Sequence, residues 1–410
     1  MPTTAARTAD ARPFDARTAD TLAQLEQSGQ LKHLQMIDSP MDASIRLRQS
    51  DGSYRDTLCF CSNNYLGLAN HPEVVEAGIE GLKKYGAGTG SVRFICGTFT
   101  PHEHVERTIA DYMGTEASYT FVSCWTASEA LFPTCCEAGD IIISDALNHA
   151  CIIDSMRLTP VIKKGVHKAV YQHADMGDLR AKLKAARANP DVSGQIWVIT
   201  DGVFSMEGVI ADLPAIRALC DEFDAMLVVD DSHGHGVMGA TGRGTHEHYD
   251  MIGKVDVFTG TLGKALGGGA GGFIAGSQQL IDLIVQRARP TLFSNALPCT
   301  VACSAAKAIE VLRREPERVE RLRTNVKTAR AKIKDAGFDV MDSPTAICPI
   351  IIGDTAEAIR MSNRLLELGV FVIGFGFPVV PEGTARLRIQ MSAAHTDGHI
   401  ETLVEALKQL

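Results

Sequence analysis

The sequence predicts an α/β fold, with a large domain built on a mostly parallel sheet and a smaller α/β domain after it. Three observations predict it. Short runs rich in Val and Ile alternate with helical stretches through the middle of the chain, the pattern of a parallel sheet covered by helices on both faces. From about Pro298 the pattern changes to long charged helical segments followed by a second, shorter set of strands. The 410 residues, 45% hydrophobic and 22% charged, suffice for one large domain, a small one and a deeply buried site.

Taken in order, the alanine- and threonine-rich first dozen residues are expected to be disordered. Residues 1–60 form an N-terminal arm, with one amphipathic helix over TLAQLEQSGQLKHL, residues 21–34. Residues 61–298 form the large domain, whose strands are SYTFVS, DIIISD, QIWVITDGVF, AMLVVDD, VDVFTGTL and GGFIAG. Residues 299–410 form the small domain: the helical VLRREPERVERLRTNVKTARAKIKDAG, the strand ICPIIIGD, a helix around Arg360 to Leu368, then VFVIGF, ARLRIQMS and a closing helix in HIETLVEALKQL.

Composition removes several function classes. A net charge of −9 argues against nucleic acid or an anionic membrane as the main partner, because both need a basic face. No apolar run reaches the ~18 residues of a membrane span, and the N-terminus lacks a signal peptide's apolar core, so a cytoplasmic protein is expected. Eleven cysteines with no C-x-x-C look like reduced, mostly buried thiols. Three His-x-His pairs, His102/His104, His233/His235 and His246/His248, lack acidic or cysteine ligands at zinc-site spacing, and no metal site is expected.

One stretch points to chemistry. GTLGKALGGGAGG, from Gly260, sets Lys264 among glycines. It is no P-loop: Phe258 occupies the first glycine position, and Ala265 follows the lysine where Ser or Thr would hold Mg²⁺. Gly267, Gly269 and Gly272 match a dinucleotide fingerprint in letters, yet the β-like GGFIAG follows where a helix should open. A lysine that is itself a point of covalent attachment remains. Ligands of parallel sheets bind beyond the carboxyl ends of the strands, so the polar residues after each run belong together. They are Asp230, Asp231, Ser232 and His233; Asp201 through Ser205; Thr261 and Lys264; Cys124 and Trp125, opening a helix; and Asn148 with His149. A lysine for a Schiff base, a carboxylate for a pyridine nitrogen, a flat ring to stack and a helix N-terminus for phosphate are what pyridoxal 5′-phosphate requires.

The segments CSNNYLGLANHP, SVRFICGT, ISDALNHACIID, TDGVFSMEGVIADL, VDDSH, TGTLGKALGG, RPTLFSNALP and PVVPEGTARLRIQMSAAHT resemble the α-oxoamine synthase family of fold-type I pyridoxal phosphate enzymes. The resemblance implies an aspartate aminotransferase-like, seven-stranded-type large domain and a homodimer with shared active sites. It makes Lys264 the Schiff-base lysine and proton-transfer base. Asp230 becomes the partner of the pyridinium, His233 and Ser205 the hydrogen-bond partners of the phenolic oxygen, and His149 the stacking ring. Thr261 and the amides of Cys124 and Trp125 would bind phosphate, with Ser294 and Asn295 from the other subunit; Arg388 and Asn63 would bind the substrate carboxylate.

The reaction implied is C-acylation of an amino acid, glycine first, by an acyl-CoA, acetyl-CoA first. Trp125, His235, Ala270, Gly376 and Phe377 depart from the pattern of the glycine-acylating subgroup. They leave open a larger amino acid, or a longer thioester with loss of the carboxylate. A pyridoxal phosphate aminotransferase is the rival of another class, while a noncatalytic subunit of the same fold would normally lose the lysine.

Overall fold

A computed structural model describes residues 12–410, so the expectation of disorder falls, up to residue 11, outside the described residues. The N-terminal helix runs Pro13–Gln27, earlier than the apolar spacing suggested. Pro13 suits a first turn, and Gly29, at φ 67°, turns the chain left-handed although Leu31 and Leu34 continue the period.

The main sheet has seven strands, in the order Ala117–Phe121, Gly272–Gly276, Val257–Thr261, Ala225–Asp230, Ile196–Asp201, Ile141–Asp145, His167–Tyr171. Only Gly272–Gly276 runs antiparallel to its neighbours. The five on its other side are mutually parallel, with Asp201 beside Asp230 and Asp230 beside Thr259, so their carboxyl ends form one polar edge. The central runs are apolar throughout because both faces are covered. Val198, Leu227 and Val229 enter one core, while Trp197, Ile199 and Val228 enter the other. Full burial of each such side chain is worth ~1.5–3 kcal/mol.

His167–Tyr171 is a strand the sequence did not announce. At the sheet edge it is only half buried, and its lysine and histidine fit a strand with one wet face. In the C-terminal part, Pro316 follows the end of Cys299–Arg314 and caps Glu317–Asp335, dividing the expected helical segment in two. The first of these helices packs on Pro72–Tyr85 and Thr100–Met113. VFVIGF also divides. Val370–Phe371 pairs in parallel with Tyr54–Cys59, tying the N-terminal strands to the C-terminal segment, whereas Ile373–Phe375 joins the antiparallel sheet of Ile347–Gly353 and Ala385–Gln390.

Candidate active site

A cavity of ≈ 230 Å³ opens at the polar edge, lined by Cys124, Trp125, His149, Asp230, His233, Thr261 and Lys264, with Cys151, Asp201, Val203 and Ser232 completing the wall. Three strand ends and two helix starts therefore converge as strand-end chemistry requires.

Helix Cys124–Cys135 begins at this cavity. Ser123 caps it by accepting the Thr126 N–H at 3.1 Å, which leaves the amides of Cys124 and Trp125 as the free donors of a first turn. The strand behind comes very close: a Cβ added at Gly272 would lie 2.3 Å from Cys124 N. This close approach is one reason for the glycines after Lys264. Thr261 ends the neighbouring strand, its hydroxyl donating to Gly271 O at 3.2 Å and accepting Gly263 N–H at 3.0 Å.

Asp230 is buried and aimed at the cavity. Thr259 Oγ1 donates to Oδ2 at 2.7 Å, Ser232 N–H to Oδ1 at 3.1 Å and Cys124 Sγ to Oδ2 at 3.4 Å. Asp231 points the other way, accepting the Thr245 N–H at 2.9 Å and its hydroxyl at 2.8 Å, so the two adjacent aspartates have separate tasks. Burial raises the Asp231 carboxyl to about 7.

His149 caps helix Ala150–Ile162, its Nδ1 accepting the Cys151 N–H at 3.2 Å and lying 3.0 Å from Cys151 Sγ. The backbone N–H of His149 donates to Asp201 Oδ2 at 3.0 Å, and the backbone N–H of Asp201 donates in turn to Asn148 Oδ1 at 2.8 Å. Burial, then the neighbouring Asp230 charge, pushes the Asp201 carboxyl well up. The contact with Cys151 raises the imidazole of His149. Trp125 stands edge-on to it, ring centroids 6.3 Å apart.

Lys264 Nζ lies 2.8 Å from His233 Nε2. Burial lowers the lysine against the opposing pull of Asp230, and burial and the Lys264 charge hold His233 well below an ordinary imidazole. The buried strand Ala385–Gln390 lies behind His233, linked to it through Tyr65. Leu387 and Ile389 enter the core, while Arg386, Arg388 and Gln390 share the other face. Arg386 is held by Glu207 at 3.0 Å. Arg388 is equally buried, yet its Nε has no hydrogen-bond partner among the described residues and its guanidinium lies 5.6 Å over the Phe375 ring. Burial drives its pKa down, opposed by Tyr65. A buried cation left this way asks for an anion from outside the chain. Asn63 Oδ1 lies 3.3 Å from Tyr65 Oη, which puts it in the same neighbourhood.

Five expected residues are not among those lining the cavity: Arg388 and Asn63, already placed beyond it, and three others. Ser205 lies in the turn after strand Ile196–Asp201, and Ser294 and Asn295 line a separate recess with Arg93 and Thr120. Sequence reasoning passed over Cys151, Tyr65 and Gln390. Gln390 ends a strand and was accessible to the same rule, whereas Tyr65 joins the site from a loop 168 residues away from His233. His235 is fully buried, its Nε2 2.9 Å from Thr261 O, and burial brings it down to about 4, so it is a neutral support for the strand carrying Thr261. Gly376 opens no room: a Cβ there would lie 2.3 Å from Thr355 Cγ2.

Residues 55–407 match the family model for aminotransferase class I and II. The chain is 42% identical over 397 residues to the 2-amino-3-ketobutyrate coenzyme A ligase of Escherichia coli (strain K12), covering 97% of each. The chain belongs to the class I and II aminotransferase family. Within it the chain is an α-oxoamine synthase, a pyridoxal phosphate-dependent acyltransferase. It is also 41% identical over 391 residues to the 8-amino-7-oxononanoate synthase of Alkaliphilus oremlandii, covering 95% of each. Its fold matches a serine palmitoyltransferase from S. paucimobilis solved with bound PLP and myriocin, with TM-score 0.87 and 29% identity, over 97% of this chain and 96% of that one. The fold is therefore fold-type I.

Proposed function

We propose that this enzyme condenses glycine with acetyl-CoA to give 2-amino-3-oxobutanoate and free CoA. The observation behind the reading is the juxtaposition of Lys264, the one lysine lining the cavity, with the buried carboxylate of Asp230 and the start of helix Cys124–Cys135. These residues fit pyridoxal phosphate: a helix N-terminus and the Thr261 hydroxyl for the phosphate, Asp230 for the ring nitrogen, His149 for the ring face and Lys264 for the aldehyde carbon. When bound, the cofactor supplies an electron sink for the bonding electrons left when the amino acid loses its α-proton.

The chain's own residues do the rest. Arg388 binds the substrate carboxylate through its planar fork, with Asn63 beside it. The Asp230 carboxylate would keep a proton on the ring nitrogen. Lys264 Nζ takes the α-proton, its basicity tuned toward neutral pH by burial. His233, once it carries a second ring proton, would bond the phenolic oxygen, joined by Ser205 from the turn after strand Ile196–Asp201. The α-carbon then attacks the thioester carbonyl, the C–S bond breaks and CoA departs. Ser294 and Asn295, which do not line the cavity of their own chain, complete the phosphate site of a second subunit in a homodimer. The enzyme works in the cytoplasm; among the described residues no helix is long and apolar enough to cross a membrane.

A longer thioester with loss of the carboxylate is the second reading, favoured by the likeness to the 8-amino-7-oxononanoate synthase. A panel of acyl-CoA chain lengths crossed with glycine, alanine and serine separates the two by kcat/KM. Glycine with acetyl-CoA should lead. A well-fitting site for longer chains would instead gain ~0.8 kcal/mol per added methylene, so a steady rise with chain length rejects the acetyl reading.

A further inference from the structure

A hydrogen-bond chain leads away from Lys264 into the small-domain sheet. Lys264 Nζ meets His233 Nε2 at 2.8 Å, His233 Nδ1 meets Tyr65 Oη at 2.8 Å, and Tyr65 Oη meets Gln390 Oε1 at 2.7 Å. Gln390 Nε2 donates to the Cys61 carbonyl at 3.0 Å. That last bond sets the direction of all the others. A backbone carbonyl only accepts, so the Gln390 amide must turn its NH₂ toward Cys61 and its oxygen toward Tyr65. The phenol has a single proton. Sent to His233, or to Asn63 Oδ1 at the longer 3.3 Å, it would leave the Tyr65 and Gln390 oxygens facing lone pair to lone pair at 2.7 Å; it therefore goes to Gln390, and Tyr65 Oη accepts from His233. Tyr65 stays a phenol, burial pushing it up to about 12, and buried His233 is neutral, with one ring proton, until it takes one from the lysine.

We infer that Tyr65 and Gln390 are positioning residues that fix the tautomer of His233, protonated on Nδ1, so that its Nε2 lone pair faces Lys264 Nζ. His233 is then a proton acceptor for the lysine. An Nζ–H bond of the ammonium breaks, an Nε2–H bond forms, and the amine left behind is the nucleophile that captures an aldehyde. While neutral, His233 offers a phenolic oxygen only an acceptor; it becomes a donor there after taking the lysine's proton. The inference rests on Lys264 as the cofactor lysine, and extends that reading to two residues on other elements.

The test uses the full-length apoenzyme with isotope-labelled histidine. NMR nitrogen shifts of His233, identified by the signals missing from His233→Asn, report the tautomer without requiring turnover. Wild type should show Nδ1 protonated and Nε2 bare. In Tyr65→Phe, which keeps the buried ring, the Nδ1 proton loses its acceptor, and the signals should move toward the Nε2-protonated form. Gln390→Met, which removes the amide acceptor, should move them the same way. In parallel, the rate at which added pyridoxal phosphate is captured should fall roughly ten- to a hundredfold in both variants, within the range of general acid–base assistance, and the fall should diminish at high pH where the lysine sheds its proton to water. A wild-type His233 protonated on Nε2, or variants with unchanged shifts, would overturn the inference. Failure of wild type to capture the cofactor through Lys264 would instead overturn the functional reading, whatever the tautomer.

Discussion

Gly272→Ala is the sharpest test of how the glycine-rich segment builds the phosphate end of the site. The added Cβ would lie 2.3 Å from Cys124 N, 2.4 Å from Cys124 Cα and 2.6 Å from Ser123 C, all backbone atoms that no rotamer change can clear. Ordinary contact starts near 3.4 Å, so the start of helix Cys124–Cys135 must retreat by about 1.1 Å (3.4 − 2.3). Overpacking of this kind costs roughly 1–3 kcal/mol of stability. The same displacement spoils one or more amide bonds to a charged phosphate, each worth about 1.5–3 kcal/mol, so cofactor should bind roughly ten- to a hundredfold more weakly. Gly269→Ala is the control. Its nearest neighbour, Val301 Cγ1, lies 3.4 Å away and its φ is not left-handed, so the methyl fits. Titration of both apo variants with pyridoxal phosphate, followed by absorbance, gives the affinities, and urea unfolding of the same samples gives stability. Equal affinity in Gly272→Ala and wild type would refute the reasoning, as would an equal loss in Gly269→Ala.

Two further predictions concern charge. Arg388→Lys keeps the cation but loses the fork, so the amino-acid KM should rise, by roughly tenfold for each 1.4 kcal/mol of binding lost, while the acyl-CoA KM stays nearly unchanged; equal rises in both would place Arg388 elsewhere in the reaction. The buried rings of His235, His246 and His395 are each depressed to about 4 by burial. Since their folded pKa values lie below the ordinary 6.5, the stability they confer is complete above pH 6.5 and is lost as pH falls toward 4. The loss is at most about 1.4 kcal/mol per pH unit and ring. Urea midpoints measured from pH 7 to 5 should fall, and His246→Phe, whose ring would still pack on Phe258, should fall less steeply; parallel curves would contradict the assignment.

Much of this was legible because the relevant signals are local. Apolar runs bounded by polar residues located six of the seven strands, and reading the residues at their ends brought Cys124, Trp125, His149, Asp230, His233, Thr261 and Lys264 to one cavity. What stayed hidden is set by tertiary contact. His167–Tyr171 lacks an apolar run because an edge strand needs to be dry on one side only. Tyr65 meets Gln390 across 325 residues, a distance no periodicity reports. The roominess suggested by Gly376 disappeared because Thr355, on a neighbouring helix, occupies the space. The N-terminal helix was displaced because a left-handed glycine outweighs continued amphipathic spacing.

The central claim is that Lys264 is the residue to which pyridoxal phosphate attaches. Borohydride reduction of the holoenzyme followed by peptide mass spectrometry tests it most directly, because reduction makes the linkage permanent and proteolysis locates it. The account predicts a pyridoxyl group on the peptide containing Lys264 and on no other, and its disappearance in Lys264→Ala. A label on a different lysine, or an unmodified Lys264 in enzyme that turns over, would contradict it.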